Sequence, residues 1–408
     1  MIWSIAWKNI WRNRTRSLVI MTAVFLGVFG GIFSSAVMNG ATERRIADLI
    51  DLESSHIRVS VEEFSDNNEL KYTIPHAQTI LGKIRAMPEV ESACLRLNIQ
   101  AMAATANANS GVVVYGINPE QYSKVFKYAD FIADSSGNFF TEDKKNRIVI
   151  GDKLAKKLNV RIKSKIVLTF NDADGNLCAD VYKVAGIFHT SNNVLNEYRV
   201  FVKNAEIAPV LAMPENTAHE IFVRLSKDVD ILEFQKTLQG DLPELQVQTW
   251  RETNPSIGML DGMMQAFMYV FMFIILLAIA FGIVNTMLMV VMERVRELGM
   301  LKAIGMKKGR IFRMITLETV FLAFTGGAMG MVFSAALLAW LGNVGLDLSM
   351  MGEGLEAAGF ASFIYPSVGL DFFFGVSFLI IFVAVLAAII PALRATKLNP
   401  AEAVRVEQ

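Results

Sequence analysis

Four long apolar runs constrain this chain more than any other feature: residues 18–38 (LVIMTAVFLGVFGGIFSSAVM), 267–292, 314–341 and 372–390. Crossing the hydrocarbon layer takes about 20 mostly apolar residues in one helix, because no water is there to satisfy backbone N–H and C=O groups. Each run is of that order, so four membrane-spanning helices are expected. The sequence divides accordingly into an entry segment (1–16), a first span (17–38), a large domain (39–265), a second span (266–292), a charged connector (293–312), a third span (313–341), a short loop (342–369), a fourth span (370–392) and a tail (393–408). The large domain is charged and normally patterned, as water-soluble sequence is.

Orientation follows from where the short loops carry cations. Lys8, Arg12, Arg14 and Arg16 precede the first span. Arg294, Arg296, Lys302, Lys307, Lys308, Arg310 and Arg313 lie between the second and third, and Arg394, Lys397 and Arg405 follow the fourth; residues 342–369 have no Lys or Arg. Both termini are therefore expected in the cytoplasm and the large domain outside. The first run exceeds the about 7–15 apolar residues of a signal peptide, so it is read as a retained span. Cys94 and Cys178 both fall in the outward domain, where oxidation is possible, and are read as separate thiols.

Alternation marks strands in the outward domain. HIRVSV (His56–Val61), a helix over His76–Met87 and LRLNI (Leu95–Ile99) form one β-α-β unit. IFVRL (Ile221–Leu225), a helix behind Asp228 or Asp230 and LQVQT (Leu245–Thr249) form a second. The two can close into one α+β layer, with a β-rich lobe over about residues 119–216 inserted between them. The expected fold class is thus membrane α plus α+β. Asp172, Asp174 and Gly175 resemble the opening of a calcium loop, but no acidic residue follows at the twelfth position. They are read as a hairpin turn, and no metal site is expected.

No G-x-x-x-x-G-K-[ST] occurs, and His56, His76, His189 and His219 are scattered outside any catalytic spacing. The chain is expected to be non-catalytic, to bind no cofactor itself and to have no nucleic-acid partner. Work on a substrate would draw on another subunit.

The connector ERVRELGMLKAIGMKKGR (Glu293–Arg310) fits a helix, with Leu298, Leu301 and Ile304 as an apolar strip for a partner's groove. A solvated connector with interface-anchoring cations fits equally well. Met259, Met263, Met264, Phe267 and Met268, at the entry to the second span, can line an apolar shelter; lipid-facing or dimer-packing surface is the alternative. Trp3, Trp7 and Trp11 above Lys8, Arg12 and Arg14 make an interfacial anchor on membrane lipids. Glu318, just inside the third span, can snorkel or pair with Arg313.

Asn285–Ile311 (NTMLMVVMERVRELGMLKAIGMKKGRI) resembles the signature of permease subunits of MacB/FtsX/LolC-type ABC transporters. Trp7–Ile20 resembles their entry helix, and Pro391–Arg405 their tail; the likeness extends over the whole topology. The resemblance implies a permease dimer, homo- or heteromeric, in a bacterial inner membrane with the large domain in the periplasm. It also implies a cytoplasmic ABC ATPase dimer that carries ATP and Mg and docks on the connector. On it, Glu293, Arg294, Arg296, Glu297, Gly299, Leu301, Ile304 and Gly305 become the expected ATPase contact. The junction Val37–Val59, with Met38-Asn39-Gly40, is most similar to the lipoprotein-releasing LolC/LolE permeases, implying a lipoprotein substrate and a periplasmic carrier. Export of peptides, antibiotics or other amphiphiles, and mechanotransmission to an envelope hydrolase, stay open.

Overall fold

The computed structural model describes residues 2–12, 14–140, 144–214 and 216–397; the expected tail beyond Lys397, with Arg405, lies outside the described residues. Its main helices are α1 (Ile2–Arg12), α2 (Arg14–Leu49), α3 (Ala77–Arg85), α4 (Ile231–Asp241), α5 (Pro255–Glu293), α6 (Val295–Ala303), α7 (Lys308–Val344) and α8 (Leu370–Lys397). Nine strands make one sheet: β1 (Ile57–Ser60), β2 (Val90–Ala104), β3 (Asn109–Ile117), β4 (Arg147–Gly151), β5 (Lys165–Asn171), β6 (Leu177–Phe188), β7 (Arg199–Lys203), β8 (Glu220–Leu225) and β9 (Gln246–Thr249).

Among the described residues, α2, α5, α7 and α8 are long and apolar enough to cross a membrane. The 39 residues of α5 extend about 58 Å at 1.5 Å per residue, nearly twice the about 30 Å of hydrocarbon. The helices therefore run well beyond the apolar segments that announce them.

The chain forms two compact units. A helical unit takes in the residues up to Thr42, Asp261–Asp347 and those from Phe363 onward, and a sheet unit takes in Glu43–Leu260 and Leu348–Ser362. In the helical unit, Val28, Ile32, Met272, Leu276, Ile315 and Val376 are buried together. Helix α7 approaches α2 through Gly326 and Gly330; a Cβ on Gly326 would come within 2.6 Å of the Met21 carbonyl. Without a hydrophobic drive between helices in lipid, such small-residue contacts supply the packing.

In the sheet unit the two β-α-β units interleave in the order β2-β8-β1-β9. β8 pairs antiparallel with β1 and β2, and β1 pairs antiparallel with β9. Each unit's two parallel strands thus flank a strand of the other, and Leu81, Ile84, Phe234 and Leu238 of α3 and α4 close one core against Ile57, Val59 and Ile221. The inserted lobe does not start at residue 119 as expected. β2 is 15 residues long: Val90–Arg96 pair with β8, and Met102–Ala104 pair with β5. The lobe's core already includes Leu97 and Ile99, because one long strand serves both parts and the sheet simply continues. The β5–β6 turn is the expected hairpin, with Asp172 Oδ1 accepting the N–H groups of Asp174 (3.0 Å) and Asn176 (2.8 Å). Cys94 and Cys178 are separate free thiols; burial pushes the Cys94 thiol up to about 12.

The sheet unit also buries charge. The Arg96 guanidinium lies over the rings of Tyr115 and Phe222, 4.1 and 4.0 Å from their centroids. Its Nε donates to Glu220 Oε2 at 2.8 Å and its Nη1 to the Glu53 carbonyl at 3.2 Å. Helix α2 continues through a π-helical turn, Ile50–Ser54, and is stitched to the sheet by its carboxylates. Asp51 accepts from Lys127 (2.8 Å) and Arg224 (2.7 Å), while Glu53 accepts from Arg199 (3.5 Å) and Asn192 (3.5 Å).

Burial makes the unit acid-sensitive. His219 Nδ1 accepts the Asn98 N–H at 3.0 Å, and His56 Nδ1 accepts the Leu225 N–H at 2.9 Å. Burial lowers both imidazoles. Burial alone would raise Asp51 and Glu220, but Lys127 and Arg224 for the first, and Arg96 and Arg58 for the second, hold them below the usual carboxylate range. All four folded values lie below the unfolded ones, so the unfolded chain takes up more protons as pH falls and stability drops with it. The denaturation midpoint of the full chain in detergent should fall first below about pH 6.5 and again below about pH 4. His219→Gln should flatten the first phase when near-ultraviolet circular dichroism follows unfolding; an unchanged first phase would refute this assignment.

Candidate functional site

The charged connector expected over residues 293–312 folds as a nine-residue helix, α6, followed by a turn. Arg294 breaks the ladder between α5 and α6 with φ −98° and ψ 17°. At the other end Gly305 has φ +96°, the Gly305 N–H donates to the Lys302 carbonyl at 3.1 Å, and the Met306 N–H donates to the Leu301 carbonyl at 3.0 Å. This is a Schellman cap, which favours glycine because a Cβ strains the left-handed conformation. The chain then turns into α7 at Lys308. Gly305 is thus a helix stop that re-aims the backbone.

Ion pairs hold the end of α5 and α6 to their neighbours. Arg16 pairs with Glu293 and Arg12 with Glu297. Arg294 Nε donates to Glu297 Oε2 at 2.9 Å, and its Nη1 donates to Glu318 Oε1 at 2.9 Å. Glu318 is buried and takes Arg294 as its partner; Arg313, one of the two alternatives the sequence offered, stands five residues away on the helix, off its face. Hydrogen bonding from Arg12 holds the Glu297 carboxyl below the usual range, against partial burial and with help from Arg294. Asn9, Arg12, Arg16, Ser17, Arg294 and Glu318 border a cavity of about 60 Å³. One clamp therefore joins α1, the start of α2, α6 and α7.

The expected contact residues divide by face. Leu298 and Gly299 are buried, and Leu301 packs against the helical core, so Leu298, Leu301 and Ile304 do not form one exposed strip. The face that carries Leu298 is turned into the core, and Ile304 falls beyond the last helical residue, Ala303. The outer face carries Arg296, Met300 and Ile304, the last 85% exposed, followed by exposed Lys307, Lys308 and Arg310. Glu293, Arg294 and Glu297 are engaged inside the chain. Sequence reasoning missed Arg12 and Arg16 as clamp members; their i, i+4 spacing is visible, but their partners are nearly 300 residues away.

The methionine-rich entry to α5 also divides. Met259, Met263 and Phe267 are exposed, whereas Met264 and Met268 are buried in the helical core. On α1, Trp3, Trp7 and Trp11 share an exposed side, while Ala6 and Ile10 are buried. Trp3 and Trp7 set their rings edge-on to Phe321 of α7 at 5.5 and 5.7 Å.

Residues 17–240 match the family described as MacB-like periplasmic core domain, and residues 269–400 the family described as FtsX-like permease C-terminal. The macrolide export ATP-binding/permease protein MacB of Neisseria gonorrhoeae is 31% identical over 122 residues, 30% of this chain and only 16% of that protein's own length. The lipoprotein-releasing system transmembrane protein LolC of Neisseria meningitidis is 24% identical over 401 residues, covering 91% of this chain and 89% of LolC. The solved periplasmic region of MacB from Actinobacillus actinomycetemcomitans covers 52% of this chain and 97% of its own, at 11% identity and a TM-score of 0.38. With one family match across more than half of its residues and a second over its last three spans, the chain belongs to the ABC transporter permeases of the MacB, FtsX and LolC type.

Proposed function

We propose that this permease is a lever in a bacterial inner membrane, driven by a cytoplasmic ABC ATPase dimer that docks on the exposed face of α6. The carrying observation is the clamp: Arg12 ties α6 to α1, Arg16 ties the end of α5 to α2, and Arg294, at the joint between α5 and α6, pairs with Glu318 of α7. A push on Arg296, Met300 and Ile304 would thus be shared by α2 and α5, the two helices that continue into the sheet unit. Rods well over 30 Å long carry such a displacement without sliding a substrate through a pore. The ATPases supply nucleotide and Mg; this chain supplies grip and transmission. A second permease subunit, identical or related, would complete the machine.

Lipoprotein release towards the outer membrane is the cargo reading we favour, supported by a LolC relative that covers nearly the whole chain. An acyl anchor gains about 0.8 kcal/mol per buried CH₂, so extraction needs both external energy and an apolar shelter. The exposed Met259, Met263 and Phe267 suit such a shelter, since methionine adapts to irregular apolar shapes. A periplasmic carrier would then receive the lipoprotein.

Depleting the protein should strand lipoproteins in the inner membrane, as membrane fractionation would record. Normal sorting refutes the cargo assignment; altered drug or peptide sensitivity would then indicate amphiphile export, and co-purification with a cell-wall hydrolase would indicate mechanotransmission.

A further inference from the structure

The segment between α7 and α8 has no part in the lever as described. Residues Leu348–Ser362 nevertheless cluster with the sheet unit, apart from the helices that flank them in sequence. Leu348 N–H donates to the Ser362 carbonyl at 2.8 Å and closes the segment's base. Its short helix, Gly352–Ala357, packs on the helix Asn193–Tyr198. Gly359 then turns the chain with φ +78°, and a Cβ there would lie 3.1–3.3 Å from the Arg45 guanidinium. The left-handed backbone favours glycine, and the Arg45 side chain would have to yield a few tenths of an ångström to admit a Cβ. Arg45 belongs to α2 and stands 3.6 Å from Glu53. Glu53 is the same carboxylate that accepts from Arg199 and Asn192. The segment therefore seats on the charge cluster by which α2 enters the sheet.

We infer that Leu348–Ser362 is a strap that returns the state of the sheet unit to the coupling helix by way of α7. Only Gly345, Leu346 and Asp347 separate the strap from the end of α7, a connection that reaches about 10 Å when fully extended. Near its other end α7 carries Glu318, which accepts from Arg294 beside α6. Force leaves along α2 and α5; load comes back along α7. The strap can dock and release because few apolar groups hold it: Met350 is fully exposed and Met351 is 66% exposed. Segments with so little buried surface open far more readily than the core they rest on. This inference takes its purpose from the lever reading, but its test needs neither ATPase nor cargo.

Hydrogen exchange of the full chain in lipid nanodiscs supplies that test. Gly359→Val should speed exchange over residues 348–362 about tenfold. It should also speed exchange over residues 296–313, around the clamp, about threefold, while β1 and β8 keep their protection. Arg45→Gln, which leaves the backbone at residue 359 unstrained, should do the same and serves if the first variant fails to fold. Unchanged protection of residues 348–362 overturns the docking. A freed strap with residues 296–313 unaffected overturns the return path.

Discussion

Glu318→Ala should lower the unfolding free energy of the detergent-solubilised chain by about 3 kcal/mol, the low end of what breaking a buried ion pair costs. Glu318 is buried and accepts from Arg294 at 2.9 Å, so its removal leaves a guanidinium in a place built for a charge pair. Removing both charges is a different experiment. The double variant Arg294→Met with Glu318→Leu should recover most of the loss, because apolar replacement of both partners leaves no buried charge unpaired and Glu297 keeps Arg12. Circular dichroism during chemical denaturation measures both. If Glu318→Ala unfolds at the wild-type midpoint, the clamp does not hold α6 in place.

Ile304→Glu should weaken association with the partner ATPase about 30-fold, the effect of a hot spot worth about 2 kcal/mol, while leaving the chain's own unfolding midpoint unchanged. The side chain is 85% exposed and touches no core, so its loss costs the folded chain nothing. Gly299 is the contrasting position. It is buried, so a bulky cation there should destabilise the helical unit before it affects docking. Pull-down of the ATPase beside a stability measurement separates the two. Wild-type affinity for Ile304→Glu would move the docking face elsewhere.

Much of the architecture was open to inspection residue by residue. Apolar runs long enough to span a bilayer announced α2, α5, α7 and α8, because a bilayer leaves the backbone almost no alternative to a helix. Alternation announced β1, the middle of β2, β8 and β9. The site was legible in part. The connector's charges and glycines stood out, and Asp230 was a visible cap, now seen accepting the N–H groups of Leu232 and Glu233. The faces of α6 were harder, because nine residues make only two and a half turns and a small error in phase moves Leu298 from outside to inside.

What the sequence determined alone was local: helix by composition and length, and strand by alternation. The pairings were decided by the tertiary structure. Arg12 finds Glu297, Arg294 finds Glu318, and Gly359 finds Arg45 only after distant segments have packed. Charge is long-ranged and carries no address in the linear order. Which cation meets which carboxylate depends on which surfaces apolar burial has already brought together.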